Sequence, residues 1–335
     1  MTENGTYTNA VYGFLAIMFK MLDEEKPDYL AVAFDLKAPT KRHELYKDYK
    51  GTRKGMPDEL AEQMPLIKNV LKAMNIEIIT KEGYEADDIL GTLSRFGEAN
   101  DLDVRLLTGD RDSFQLVTNK TTILLPHTKA GKTETEIYDL NKIHEVYNLE
   151  PDQLKDVKGL MGDSSDNIPG VAGIGEKTAL GLIQEYGSIE SMYEKLEAGD
   201  PKFKGKQKEK LESGKDMAFL SKTLGTIDVD SPIEKDLEKL KYEEWNKPEV
   251  YRIFKELRFK RYIDRFKLDQ EGGKEGSTEK DDKPLDKKEE NSINKTIEQN
   301  KQLIGLENET IELDVNYKVE KVDSKSLDKL IKNIE

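Results

Sequence analysis

From Pro57 to Met74 the apolar residues Leu60, Met64, Ile67, Leu71 and Met74 recur at alternating four- and three-residue spacing. That is one buried stripe of a helix, opened by a proline whose missing N–H is harmless in a first turn. Glu85–Ala99 predicts a second helix, with Ile89, Leu90, Leu93 and Phe96 turned inward. Around them lie short apolar runs of strand length at Tyr29–Phe34, Ile76–Thr80 and Val104–Thr108. Strands alternating with helices predict an α/β lobe over residues 1–145, its mostly parallel sheet flanked by helices on both faces. Residues 146–270 read as mainly helical, with no long strand.

The pattern changes again after residue 270. Residues 271–300 hold only Leu285, Ile293 and Ile297 as large apolar side chains. Such a stretch cannot bury enough surface to offset its ordering entropy, which predicts a flexible linker. Residues 301–335 then offer two short strand patterns and an amphipathic helix at Ser326–Ile334. Thirty-five residues are too few for an independent domain, so the tail reads as the start of a second one, cut short.

Composition narrows the chemistry. The longest apolar stretch, Ala10–Leu22, is interrupted by Lys20 and is shorter than the roughly 20 residues a bilayer span needs. It has no basic leader or small-residue cleavage site, so neither a membrane anchor nor a signal peptide is expected, and the expected location is cytoplasmic. With no cysteine, disulfides, thiolate zinc sites and cysteine nucleophiles are excluded. Acidic residues outnumber basic ones 67 to 53, a net charge of −14, which taken alone argues against a nucleic-acid partner.

The positions of the acids reverse that inference. Asp35 ends the first strand pattern, Glu85, Asp87 and Asp88 open the second helix, and Asp110 and Asp112 follow the Val104–Thr108 strand. In parallel α/β sheets the carboxyl ends of strands are where ligands bind, so these side chains are expected at one edge. Asp163 and Asp166, in MGDSSDN, form a further pair at the entry to the helical lobe. Singly, each has a plain explanation: acids favour helix N-termini, and an Asp after a strand is a common turn residue. Packed together, they cannot all stay ionised without cations. An oxygen-only donor set suits hard ions, Mg²⁺ or Mn²⁺, and two such ions can drive an in-line phosphodiester displacement.

Two further segments complement this cluster. Between Lys37 and Lys54 seven basic residues face two acids, with Tyr46 and Tyr49 interleaved. Cations with aromatic rings are the makeup of a single-strand groove. The glycine-rich turn Asn167–Lys177 (NIPGVAGIGEK) superficially resembles a P-loop. Glu176 separates Gly175 from Lys177 and no strand precedes the turn, so the P-loop reading fails and with it most of the case for a nucleotide-dependent enzyme. A tight turn with free backbone N–H groups instead suits a duplex phosphate, read without regard to sequence. Five lysines between Lys202 and Lys210 could extend that track.

The segments VAFD, RHELYKDYKGTR, MPDEL, YEADDILGTL, TGDRDSFQLV, LMGDSSDNIPGVAGIGEKTAL and AFLSKTLGTI occur in that order. Together they closely resemble the 5′-nuclease (5′→3′ exonuclease) domain of bacterial DNA polymerase I, which is related to the flap endonucleases. The resemblance spans roughly residues 5–268. It implies a PIN-like (resolvase-like) fold followed by a helix–hairpin–helix region, and a Mg²⁺-dependent nuclease that removes primers and 5′ flaps in replication and repair. By motif, it assigns Asp35, Glu85, Asp87, Asp88, Asp110, Asp112, Asp163 and Asp166 as ligands of two ions. It assigns Lys50 and Arg53 to contacts with the scissile phosphate and 5′ strand, with Tyr49 and Arg42 in the same element. Gly173, Gly175 and Lys177 match the duplex-binding hairpin, which in this family can hold K⁺ through backbone carbonyls. The implied partner is DNA, the implied state a monomer, and a polymerase region is expected in the full-length product.

One departure sets a further expectation. The family opens with a strand ending in Asp-Gly that supplies another metal-binding aspartate, whereas this chain starts within the later loop matching Gly5–Leu15. A fragment is therefore expected, short of one central strand and one ligand. Two functions follow: an active 5′ nuclease, or a branched-DNA-binding module with impaired turnover.

Overall fold

The structure is a computed structural model that describes Thr2 and residues 5–129 and 132–271. The expected linker, apart from Glu271, and the expected second-domain start lie outside the described residues. Helix α1 (Asn9–Glu25) is the longest apolar run of the sequence, and it is a core helix, burying Val11, Leu15, Met18 and Phe19. A first-turn donor without a partner inside the helix is met from elsewhere in the chain. The Gln63 side chain, 1% exposed, accepts from the Ala10 N–H at 2.7 Å and donates to Glu59 O at 2.8 Å.

Strand β1 (Ala31–Ala33) leads through α2 (Lys41–Leu45) to α3 (Asp58–Ala61) and α4 (Met64–Ala73). The single helix expected over residues 57–74 is thus two. Pro65 has no N–H with which to carry the α3 ladder onward, so the chain breaks at Glu62–Gln63 and restarts. The stripe survives the break, with Leu60, Ile67, Leu71 and Met74 all buried.

Strand β2 (Glu77–Ile79) pairs in parallel with β1, Val32 opposite Ile78. After it come α5 (Ala86–Ala99), β3 (Val104–Leu107) and a 3-10 turn at Arg111–Leu116. On α5 the inward face differs from the expected one. Ile89 is buried as foreseen, but its companions are Gly91, Thr92, Ser94 and Gly97, while Leu90, Leu93 and Phe96 are only half-buried. Small residues let α5 lie close to its neighbours; a Cβ at position 97 would stand 2.7 Å from Val104 Cγ2.

Two strands escaped the sequence reading. β4 (Thr121–Lys129) pairs in parallel with β3 and antiparallel with β5 (Lys132–Tyr138). Their Thr-rich, β-branched composition is the signal that could have found them, although Pro126 and short polar alternations weaken it. Among the described residues the sheet is therefore in two parts, β1–β2 and β3–β4–β5, and β1 does not pair with β3. Helix α5 packs against both β1 and β3 and so spans the two parts.

The remainder is helical: α6 (Leu140–Tyr147), α7 (Leu154–Met161), α8 (Glu176–Tyr186), α9 (Ile189–Glu197), α10 (Gly205–Ser213), α11 (Lys215–Gly225), α12 (Leu237–Leu240), α13 (Lys247–Glu256) and α14 (Lys260–Arg265). Helices α7 to α11 share a core around Leu160, Ile183, Met192 and Leu211. The expected helical lobe over 146–270 does not hold as one body. Val250, Phe254, Phe259 and Tyr262 from α13 and α14 join Val11, Phe19 and Leu71 in the core of the first lobe. The chain returns because α1 and α4 present more apolar surface than their two strands can cover, and α13 carries a matching stripe.

Gln63 gives a direct test of this packing. Gln63→Leu keeps the volume but leaves the Ala10 N–H buried without an acceptor, so denaturant unfolding should show a loss of about 1–3 kcal/mol. An unchanged midpoint would mean that the cap contributes nothing.

Candidate active site

The local geometry explains why acids converge. Asp35 leaves the end of β1, and its Oδ1 accepts the Ala86 N–H at 2.7 Å, capping α5 from across the chain. Glu85 is the N-cap residue of α5. Asp110 caps the 3-10 turn after β3, accepting the Asp112 N–H at 2.8 Å. Asp163 and Asp166 sit in the turn after α7, where Asp163 Oδ1 accepts from the Ser165 N–H and Oγ at 2.8 and 2.7 Å. Asp35, Asp110 and Asp163 thus each accept a backbone N–H, whereas the Asp166 carboxylate accepts from the side chains of Tyr49 and Arg53.

Asp112, Asp163 and Asp166 each bring a carboxylate oxygen within 4.8 Å of the others. Asp87 lies against the same space. Burial, followed by the charges of Asp110, Asp112, Asp35 and Glu85, pushes its carboxyl well above the ordinary range. Burial likewise pushes Asp112 up to about 6, although the neighbouring Lys158 ammonium opposes the rise. At Asp163 the balance is reversed: burial disfavours the charge, but Lys158 and the Ser165 donors outweigh it and bring the group down to about 2. These carboxylates hold more negative charge than their surroundings neutralise. An all-oxygen set of this kind fits hard divalent cations.

The basic segment folds directly over the acids. Lys50 Nζ is 2.9 Å from Glu85 Oε1 and 3.9 Å from Asp166, and Arg53 is paired with Asp166. The Tyr49 hydroxyl lies 3.1 Å from Glu85 Oε2 and 3.2 Å from Asp166 Oδ2. Tyr49 is buried with Ile168 and Leu224, so its ring is an anchor rather than an exposed stacking platform. Lys50 adopts a left-handed backbone with φ of 55°, and its N–H donates to Asp166 O at 2.8 Å. That conformation is uncommon for a residue other than glycine or asparagine and is held here by the carboxylate turn.

Two expected assignments change. Arg42, expected to contact DNA, forms a bidentate pair with Asp88 at 2.8 and 2.7 Å and donates to Leu224 O and Thr226 O. Asp88, expected as a metal ligand, is almost completely buried and also accepts the Glu85 and Asp228 N–H groups at 3.0 and 2.9 Å. Its oxygens are spent, so Arg42 and Asp88 join α2, α5 and the end of α11. Among the hairpin residues, Gly173, Gly175 and Lys177 are exposed and apart from the acids. Lys210 of α10 donates to Gly173 O at 2.9 Å, which brings one of the five clustered lysines to the hairpin.

Sequence reasoning missed Lys158. It lies in the last turn of α7, is 11% exposed at its side chain, and pairs with both Asp112 and Asp163. The only signal was its position five residues before Asp163 in KGLMGD, which nothing distinguishes from a surface lysine.

With this geometry established, comparisons identify the fold. Residues 1–148 match the 5′-3′ exonuclease N-terminal resolvase-like domain, and residues 149–248 match the 5′-3′ exonuclease C-terminal SAM fold. The chain belongs to the 5′-3′ exonuclease family. It is 46% identical over 267 residues to DNA polymerase I of Caldicellulosiruptor bescii, covering 80% of this chain and 31% of that relative. Among solved structures it resembles bacteriophage T5 5′-exonuclease with bound zinc, at a TM-score of 0.56 and 21% identity, covering 76% of this chain and 93% of that one. It also resembles a bacteriophage T5 flap endonuclease complex with DNA and metal ions, at 0.54 and 20%, covering 75% and 91%.

The crowded carboxylates make stability pH-dependent. Asp87 binds its proton more tightly folded than unfolded, so ionising it as pH rises above about 3.8 weakens the metal-free fold. Asp87→Asn should therefore stabilise the protein in EDTA at pH 8 by about 1–2 kcal/mol and give no gain near pH 3. Thermal unfolding at the two pH values reads this directly. A loss at pH 8 would show that Asp87 is already neutralised.

Proposed function

We propose that this chain hydrolyses DNA phosphodiester bonds at or near 5′ ends, as a 5′→3′ exonuclease and 5′-flap endonuclease within a DNA polymerase I. The observation that carries this reading is the convergence of acids from four separated segments under a lid of fixed cations. Asp35, Glu85, Asp87 and Asp110 would hold one divalent ion, Mg²⁺ or Mn²⁺, and Asp112, Asp163 and Asp166 a second. Bound there, such ions supply an activated water and neutralise the leaving oxygen.

The chain's own residues do the positioning. Lys50 and Arg53, already directed at Glu85 and Asp166, are placed to exchange those partners for the scissile phosphate. Tyr49 holds Lys50 against the acids, and Arg42 with Asp88 fixes the base of the segment. Gly173, Gly175 and Lys177 would receive a duplex phosphate, with Lys210 beside them. K⁺ held by carbonyls of the hairpin would have to share that of Gly173 with the Lys210 ammonium. No helix among the described residues is long and apolar enough to cross a membrane.

The test is cleavage of a labelled 5′-flap duplex. Product should form with Mg²⁺, vanish in EDTA, and fall by about 100-fold or more in Asp110→Ala. Lys50→Ala and Arg53→Ala should lower kcat more than flap affinity. Salt-dependent flap binding without metal-dependent product would favour the DNA-binding module instead.

A further inference from the structure

We propose that Lys158 is a built-in competitor of the divalent ion at Asp112, Asp163 and Asp166, its ammonium taking the place between Asp112 and Asp163 that the ion would take. This rests on the two-ion reading of the site and adds what sets the affinity of one position. Lys158 Nζ contacts both Asp112 oxygens and lies 2.5 Å from Asp163 Oδ2. A cation of that reach bridges the same two carboxylates that the candidate triad requires.

The stem of the lysine is fixed as firmly as its head. It crosses the end of α11 at Gly225, where a Cβ would stand 2.7 Å from Lys158 Cδ and 2.9 Å from Cγ. The three atoms such a Cβ would meet first all belong to Lys158, so the missing side chain leaves room for this stem. Release of the ammonium from Asp112 and Asp163 is then a displacement by another cation.

Two consequences follow. Without divalent ions Lys158 keeps like-charged acids together and stabilises the fold. With them it raises the concentration needed to load the Asp112 position more than that of the Asp35, Asp87 and Asp110 side, because its ion pairs among the described residues run to Asp112 and Asp163.

Binding of Mn²⁺ to the DNA-free chain, counted by the electron paramagnetic resonance of the free ion, tests this. Lys158→Met keeps the stem and removes the charge. The weaker Mn²⁺ site should tighten by about tenfold or more, while Lys158→Arg stays near the wild-type value. In EDTA the same Met variant should melt about 5 °C or more lower, a deficit that millimolar Mn²⁺ reverses. A purely structural lysine would give weaker metal binding, not tighter. Gly225→Ala, which crowds the stem while leaving Lys158 in place, should move the affinity in the same direction should the Met variant misfold. Unchanged or weakened Mn²⁺ binding in both variants overturns the proposal and leaves the two-ion reading intact. Failure of the wild-type chain to bind Mn²⁺ overturns both.

Discussion

Mutual repulsion among carboxylates at the strand ends is the constraint around which this protein is arranged. Asp35, Glu85, Asp87, Asp110, Asp112, Asp163 and Asp166 come from distant segments, and bringing them together is unfavourable unless positive charge accompanies them. The chain supplies part of it. Arg53 and Lys50 arrive from above and Lys158 from below, while Arg42 removes Asp88 from the group altogether. The remaining deficit, expressed in the raised carboxyls of Asp87 and Asp112, is the driving force for cation binding. The net charge of −14 therefore says little about affinity for DNA, since it averages a cation-seeking centre with a basic segment folded across it.

The parts of this arrangement legible in the sequence are those set by local rules. Helical stripes, strand runs and the glycine turn depend on neighbours within a few positions, and α5 covers all but the first residue of the expected Glu85–Ala99 helix. Convergence of the acids was legible too, because strand ends in α/β folds share an edge. What escaped depends on tertiary partners. The apolar stripe of α13 shows that the helix buries one face but not that the face meets α1 and α4, far upstream in the sequence. The buried side of α5 is made of small residues, which hydrophobicity does not mark, and is recognised only by what they approach.

Side-chain roles divide in the same way. Asp88 follows Asp87 directly, and no sequence rule says which of two adjacent acids faces the site. Helical geometry settles it, since successive residues point about 100° apart and only one can face the strand ends. Arg42 lies in the basic segment and shares its composition, yet the carbonyls at the end of α11 and Asp88 engage each of its three guanidinium nitrogens. Lys158 is the converse case, a residue of ordinary appearance whose placement follows from the absence of a side chain at Gly225, 67 positions later.

The turn between α7 and α8 has one consequence for how far a cut falls from the point of grip. Gly162 and Gly170, at φ of 75° and 61°, lie backbone against backbone, and a Cβ on the first would meet Ile168 O at 2.5 Å. Asp163 and Ile168 exchange two backbone bonds across the same turn, and the Gly170 N–H is fastened to Ser221 on α11 at 2.9 Å. The acids and the exposed hairpin are therefore one stiff piece with no hinge between them. On the proposed function, a duplex seated on Gly173 and Gly175 could not slide without carrying Asp163 and Asp166 with it. The hairpin would act as the stop on a ruler, fixing the interval between junction and cut by the stiffness of the turn instead of by reading bases.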